Sequence, residues 1–349
     1  MSDVAGGAIG PPWRRPLRGH LDELVVDSVA LRGNPLGDPA VRPLWVYTPP
    51  GVASGDRLPV IYLVQGFTGQ VDMLGSHRAY RPSVVELIDE LFGDDTVPRC
   101  LVAMVDCWTS LGGSQFVDSP GTGRYHTYLC DEVVPFVDAH LATVADRDHR
   151  AITGHSSGGY GAMITPMLRP DVFGALATHA GDALFELCYW KDVPLVVRTL
   201  RDSYGGSYEA FLSDVRTRPM MTRAGDAELI NMWAMAAAYS ADEDGTVNLP
   251  FDTASGQMIP GVWERWLAHD PVRMVPLHAD ALRSLRGIYI DAGTRDEYHL
   301  DLGAAGFREA LAAIGVTDVF FELFPAGHGG TEYRYPIAMR YLAEHIAAT

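Results

Sequence analysis

The chain has 349 residues, 47% hydrophobic and 20% charged, which supplies enough apolar material for a large buried core and excludes a disordered chain. Its formal net charge of -17 argues against nucleic acid and anionic membrane surfaces as partners, and against strongly anionic substrates.

Met1 to Pro16 is rich in Gly and Pro and lacks an apolar stretch of secretory type, so an irregular arm is expected over 1–20 and a cytoplasmic location for the chain. Leu24 to Leu31 and Leu44 to Thr48 alternate apolar and polar residues, which predicts an antiparallel opening pair. Pro59 to Val64 is a continuous apolar run, as in a strand covered on both faces. Arg81 to Phe92 has helical periodicity, Cys100 to Val105 is a second buried strand, and His126 to Leu141 a second helix. A third strand is expected at His149 to His155, a helix at Ser157 to Leu168, and a strand at Ala175 to His179. The carboxyl-terminal part continues with a strand at Gly287 to Asp291, a helix near Leu302 to Ile314, a strand at Val319 to Phe324 and a closing helix from Pro336. This alternation predicts an α/β chain: one mostly parallel sheet with helices on both faces.

The rhythm breaks between about Ala183 and Ala279. A helical insertion at 183–280 is expected there, as a cap on a single domain. It carries Trp190, Trp233, Trp263 and Trp266, four of the seven tryptophans. Two readings stand: an aromatic cap over the sheet's carboxyl edge, where ligands bind in open α/β sheets, or a small core internal to the insertion. The four cysteines are scattered without a C-x-x-C pair and read as buried small side chains. The twelve histidines show no metal-ligand spacing, and the chemistry expected of the site below needs neither a metal nor an organic cofactor.

Gly154-His155-Ser156-Ser157-Gly158 is a G-x-S-x-G pentapeptide between a predicted strand and a predicted helix. A serine on such a sharp turn projects its hydroxyl above the sheet. The pentapeptide alone would arise by chance on the order of once in six chains of this kind, so the rest of the site has to be found. His328, in Ala326-Gly-His-Gly-Gly330 after a strong apolar strand, is the candidate base, because an imidazole can take the serine proton and return it near neutrality. The acid that orients it is expected after the preceding strand, in Asp291-Ala-Gly-Thr-Arg-Asp296-Glu297. Asp296 is favoured, with Glu297 and Asp291 as alternatives. Two backbone N–H groups should stabilise an oxyanion: that of Ser157 at a helix start, and that of Phe67 in the turn Gln65-Gly66-Phe67-Thr68-Gly69, with Thr68 as runner-up. Trp108, leaving the strand at Val105, and Asp182, after the strand at Ala175 to His179, are weaker candidates for substrate contact. Plain packing for Trp108 and a helix cap for Asp182 are the alternatives.

Val60-Ile-Tyr-Leu-Val-Gln-Gly66, Gly112-Gly-Ser-Gln-Phe-Val-Asp-Ser-Pro-Gly121 with Tyr125 and Tyr128, Gly154-His-Ser-Ser-Gly-Gly-Tyr-Gly-Ala162, Gly293-Thr-Arg-Asp296 and Gly327-His328 together resemble the esterase D-type branch of the α/β-hydrolases. That group includes S-formylglutathione hydrolases, enterochelin-type and feruloyl esterases and mycolyltransferases. The resemblance implies an α/β-hydrolase fold, with Ser156 as nucleophile, Asp296 as acid, His328 as base, and Phe67 and Ser157 N–H as the oxyanion hole. Gln65 departs from it, standing where many relatives carry His or Asp. The expected function is hydrolysis of a carboxylic ester through an acyl-enzyme, on a small substrate with an apolar or aromatic moiety. The alternatives are an acyltransferase that passes the same acyl group to an alcohol and, from another class, a non-catalytic binding protein on the same scaffold.

Overall fold

In a computed structural model, which describes residues 15–347, eight strands form the central sheet: β1 (His20–Asp27), β2 (Val41–Thr48), β3 (Val60–Val64), β4 (Leu101–Val105), β5 (Arg150–His155), β6 (Ala175–His179), β7 (Gly287–Gly293) and β8 (Phe320–Phe324). Their spatial order is β1-β2-β4-β3-β5-β6-β7-β8. β2 pairs antiparallel with β1 and β4, and every other pairing is parallel. The principal helices are α1 (Val84–Phe92), α2 (Val134–His140), α3 (Ser157–Leu168), α4 (Val193–Tyr204), α5 (Tyr208–Thr217), α6 (Asp226–Tyr239), α7 (Pro260–Leu267), α8 (Leu300–Ala313) and α9 (Tyr335–Ile346).

The unbroken apolar runs are explained by two cores, one on each face of the sheet. Along β3, Val60, Tyr62 and Val64 enter one core with Met163 and Ile164 of α3. Ile61 and Leu63 enter the other, with Ile88 of α1 and Met339 and Leu342 of α9. Successive side chains of a strand point to opposite faces, so a strand buried on both needs apolar residues at every position.

The elements depart from expectation at their ends, for local reasons. β1 stops at Asp27 because Ser28 turns the chain: its N–H donates to Ala40 O at 3.0 Å, and its hydroxyl accepts the N–H of Leu31 at 3.0 Å. α1 begins at Val84 because Ser83 and Glu86 form a reciprocal capping box, which fixes the first turn there. The second predicted helix is continuous over 125–140 but passes through a π-helical turn at Tyr128–Val133. Most of the arm expected at 1–20 lies outside the described residues. Of the remainder, Arg18 N–H donates to Asp89 of α1 at 2.8 Å.

The segment between β6 and β7 is helical, containing α4 to α7 and several single turns. Trp266 is fully buried and packs against Tyr189, Tyr239 and Trp263, with ring centroids 5.6, 5.6 and 5.8 Å away. Trp190 meets Trp263 at 5.1 Å, and Trp233 meets Tyr208 at 4.9 Å. The tryptophans thus form the segment's own core. No helix among the described residues is long and apolar enough to cross a membrane.

Candidate active site

β5 ends at His155 and α3 starts at Ser157, so a single residue makes the turn between strand and helix. That residue, Ser156, has φ 60° and ψ -126°, a strained backbone for a side-chain-bearing residue that persists only where the surroundings enforce it. They do so here by close approach. A Cβ on Gly154 would lie 2.5 Å from Gly158 C, and one on Gly158 would lie 2.4 Å from Val64 O. The Ser156 N–H donates to His179 O of β6 at 2.9 Å and ties the turn to the sheet.

The loop after β8 carries His328 over this turn. Its Nε2 stands 3.0 Å from Ser156 Oγ, and its Nδ1 2.7 Å from Asp296 Oδ2. Asp296 is buried, and its other oxygen accepts the N–H of Tyr298 at 2.8 Å. Burial pushes the Asp296 carboxyl up, but the hydrogen bond and charge of His328, with the N–H groups of Tyr298 and Leu300, outweigh it and hold the group below the ordinary carboxylate value. A carboxylate kept ionised against Nδ1 fixes the tautomer that leaves Nε2 free to accept a proton.

The three acidic candidates occupy three different places. Asp296 meets the ring of His328. Glu297 accepts the backbone N–H of His328 at 2.8 Å. Asp291 is directed away, into a buried network with His179 Nδ1 at 2.6 Å, Tyr289 OH at 2.9 Å and Arg334 Nε at 2.8 Å. The backbone of His328 is gripped on its other side as well, since His155 Nε2–H donates to His328 O at 3.0 Å. Burial and the neighbouring His328 and His179 push His155 down to about 3, so it stays uncharged beside His328. Sequence reasoning passed over His155 as the variable position of the pentapeptide.

The turn after β3 closes with Gly69 N–H on Gly66 O at 2.9 Å. Neither Phe67 N–H nor Ser157 N–H donates to a protein acceptor among the described residues. Both residues, and Thr68, line a cavity of about 310 Å³ that also holds Ser156 and His328. Backbone N–H groups without a protein acceptor, on residues that line the cavity beside Ser156, can serve a developing oxyanion. The Phe67 ring lies where a Cβ on Gly112 would be, 2.5 Å away, so the sequence Gly112-Gly113 seats it.

Much of the cavity wall comes from the helical segment: Lys191, Asp192, Glu228, Ile230 and Asn231 all line it. None of the four tryptophans of the segment does, and neither does Trp108. The chain turns at Trp108 into a short hairpin pairing with Gly113, and the Trp108 carbonyl accepts Tyr125 OH at 3.4 Å and the Arg42 guanidinium. Trp108, a weaker candidate for substrate contact, therefore does not line this cavity. Asp182 lines the cavity and does not cap a helix. The N–H groups of Leu184 and Phe185 are taken instead by Asp270, at 3.2 and 3.0 Å. Burial raises the Asp182 carboxyl, against hydrogen bonds from Tyr189 and Gln115 that lower it. The four cysteines are free and buried. Among the described residues no cluster of three or more His, Cys, Asp or Glu side chains could hold a metal ion.

Comparison with known proteins finds likenesses in sequence and in fold. The chain is 28% identical over 153 residues to S-formylglutathione hydrolase of Mus musculus, which covers 42% of this chain and 53% of that protein. It spans about half the length of the curated relatives it matches. A ferulic acid esterase structure superposes with a TM-score of 0.60 at 17% identity, covering 95% of this chain and 99% of that one. An S-formylglutathione hydrolase from Agrobacterium tumefaciens does so with a TM-score of 0.56 at 17% identity, covering 95% and 98%. These likenesses show the α/β-hydrolase fold. The family model described as “Putative esterase” matches residues 40–314, most of the chain, and the chain belongs to the Esterase family.

Proposed function

We propose that the protein is a serine hydrolase that cleaves a small carboxylic ester through an acyl-enzyme on Ser156. The observation that carries this reading is the continuous line Asp296–His328–Ser156, with hydrogen-bond distances of 2.7 and 3.0 Å, next to two free backbone N–H groups in one cavity.

Ser156 Oγ attacks the ester carbonyl carbon while His328 Nε2 takes its proton. The carbonyl oxygen becomes an oxyanion and accepts the N–H groups of Phe67 and Ser157. Asp296 stabilises the imidazolium without itself being protonated. When the tetrahedral species collapses, the leaving alkoxide takes the proton from His328 Nε2, and the acyl group remains on Ser156. A water molecule then gives a proton to His328, attacks the acyl carbon, and the second collapse returns the proton to Ser156 and releases the acid. The helical segment at 183–280 acts as the cap, because it supplies much of the cavity wall. The tryptophan-based argument for an aromatic substrate falls away, since none of those side chains lines the cavity.

The test is labelling by a fluorophosphonate probe together with turnover of short-chain esters, in wild type and in S156A. Stoichiometric labelling that vanishes in the variant is expected. A folded wild-type protein that neither labels nor hydrolyses any ester would leave the binding-scaffold reading in its place.

A further inference from the structure

The wall of the cavity holds a carboxyl group that the chemistry above does not use. Asp182 is 7% exposed, and its Oδ2 alone takes all three hydrogen bonds the protein offers: Tyr189 OH at 2.8 Å, Gln115 Nε2 at 3.0 Å and Ser157 Oγ at 3.3 Å. Oδ1 has no protein partner among the described residues and is not among the enclosed polar atoms, in a residue that lines the cavity. A buried carboxylate with one oxygen anchored by three donors and the other facing a binding cavity is a fixed acceptor.

The rest of the wall has matching character. Asp192 and Glu228 line the cavity with Asp182, against a single lysine, Lys191. Lys191 is itself engaged, with Nζ 3.0 Å from Asp192 Oδ1 and 5.1 Å from the centroid of the Tyr298 ring. The cavity therefore offers acceptors and negative charge, and no free cation for an anionic substrate.

We propose that Asp182 is a specificity residue whose Oδ1 accepts a hydrogen bond from a hydroxyl or ammonium group carried by the ester. The inference rests on the serine-hydrolase reading and names the substrate class within it: esters bearing a hydrogen-bond donor close to the scissile carbonyl. Ser157 joins the two roles. Its N–H is a proposed oxyanion donor, and its hydroxyl holds Asp182 Oδ2.

The substitution D182N gives the sharpest test. The three donors around Oδ2 will hold the amide oxygen of the asparagine there, which turns its NH₂ into the cavity in place of Oδ1. The scaffold keeps its hydrogen bonds while the group facing substrate changes from acceptor to donor. The experiment measures kcat/KM for ester pairs that differ by one group of similar size. These are β-hydroxybutanoate against isovalerate and ethylene glycol monobutanoate against propyl butanoate for a hydroxyl in either arm, and β-alanine against butanoate for an ammonium. Acetoacetate against isovalerate probes an acceptor.

Wild type is expected to favour the donor-bearing member of at least one pair by roughly tenfold or more, the effect of one hydrogen bond to a charged group. The pair with the largest ratio tells hydroxyl from ammonium. D182N is expected to lose the ammonium preference where wild type shows one, and in every case to gain a preference for acetoacetate. Wild-type ratios near unity in every pair overturn the proposal without recourse to any variant. So does a D182N protein that slows all esters by the same factor, which is what a purely structural Asp182 would do. Failure of the underlying reading looks different: wild type then turns over no ester and is not labelled by fluorophosphonate.

Discussion

At the carboxyl edge of the sheet, Ser156, Asp296 and His328 come from the ends of β5, β7 and β8 and meet within 3.0 Å of one another in sequence along the hydrogen-bond line. In the segment between β6 and β7, the large side chains meet each other instead, with Trp266 at the centre. The first region is held by backbone: parallel strands in register, glycines that admit a close crossing at Gly154 and Gly158, and a loop gripped at both the N–H and the C=O of His328. The second is held by side-chain packing between short helices. An edge built on backbone can place reactive atoms closely, whereas a segment built on its own core can vary its outer face without disturbing them. The difference predicts that damage in the first region removes chemistry and leaves the fold, and that damage in the second removes stability and leaves the chemistry.

The largest expected effect is in the first region. S156A should lower kcat for any ester turned over by roughly 10⁴- to 10⁶-fold with an unchanged melting temperature, measured side by side on one preparation. Residual turnover within tenfold of wild type would mean that the strained turn serves something other than nucleophilic attack.

The next contrast lies within the loop that carries His328. D296N should cost on the order of 10³- to 10⁴-fold in kcat, because the imidazole loses the partner that fixes its tautomer. E297Q touches only the backbone N–H of His328, and a glutamine oxygen can still accept it, so roughly threefold to tenfold is expected. If E297Q proved the more damaging change, the 2.7 Å contact between Asp296 and His328 would not be the one that matters in catalysis.

In the second region, W266A should cost about 3–5 kcal/mol of stability, typical of a large buried aromatic cut to alanine. Trp266 also donates Nε1–H to Ser240 Oγ at 2.8 Å, so the variant removes the donor to that hydroxyl, which still donates to Asn248 O at 2.6 Å. Thermal unfolding measures the loss. Fluorophosphonate labelling below the lowered transition should persist, and its disappearance in folded protein would erase the proposed division between the two regions.

The same contrast decides what the sequence could reveal. β6 and α3 span Ala175–His179 and Ser157–Leu168, as the apolar runs require, because a strand covered on both faces announces itself in every residue. Asp296 and His328 were legible because each lies in the loop that leaves a strand, and strand ends converge on one edge in a parallel sheet. Lys191, Glu228 and Asn231 carried no such signal: their place in the cavity wall depends on how short helices pack, which no local pattern encodes. Trp108 shows where the rule misleads, since it follows β4 but the hairpin at Gly112-Gly113 carries it aside. Asp182 follows β6 and does reach the cavity, yet nothing local distinguished it from the helix cap that Asp270 supplies.

The smallest effect tests the two regions together through acid. His269, in the helical segment, stacks on Tyr239 with centroids 5.0 Å apart and is pushed down to about 4 by burial and by Arg265. His155, at the sheet edge, is pushed down to about 3. In the unfolded chain both take protons below about pH 6.5, while in the fold they do not. The unfolded state then binds more protons, so each histidine's contribution to stability falls as pH drops from about 6.5 toward its folded value. Asp182 and Asp270, raised by burial, bend the curve the opposite way, because they take up protons in the fold before the unfolded chain does. The clean readout is therefore the difference between wild type and H269F, which keeps a ring against Tyr239 and removes one titrating group. Between about pH 6.5 and 4 that difference should change by up to roughly 1.4 kcal/mol per pH unit, the linkage of a single proton, with the wild type losing more on acidification. Parallel curves would mean that His269 is protonated within the fold, and the helical core would then have to accommodate a charge beside Tyr239.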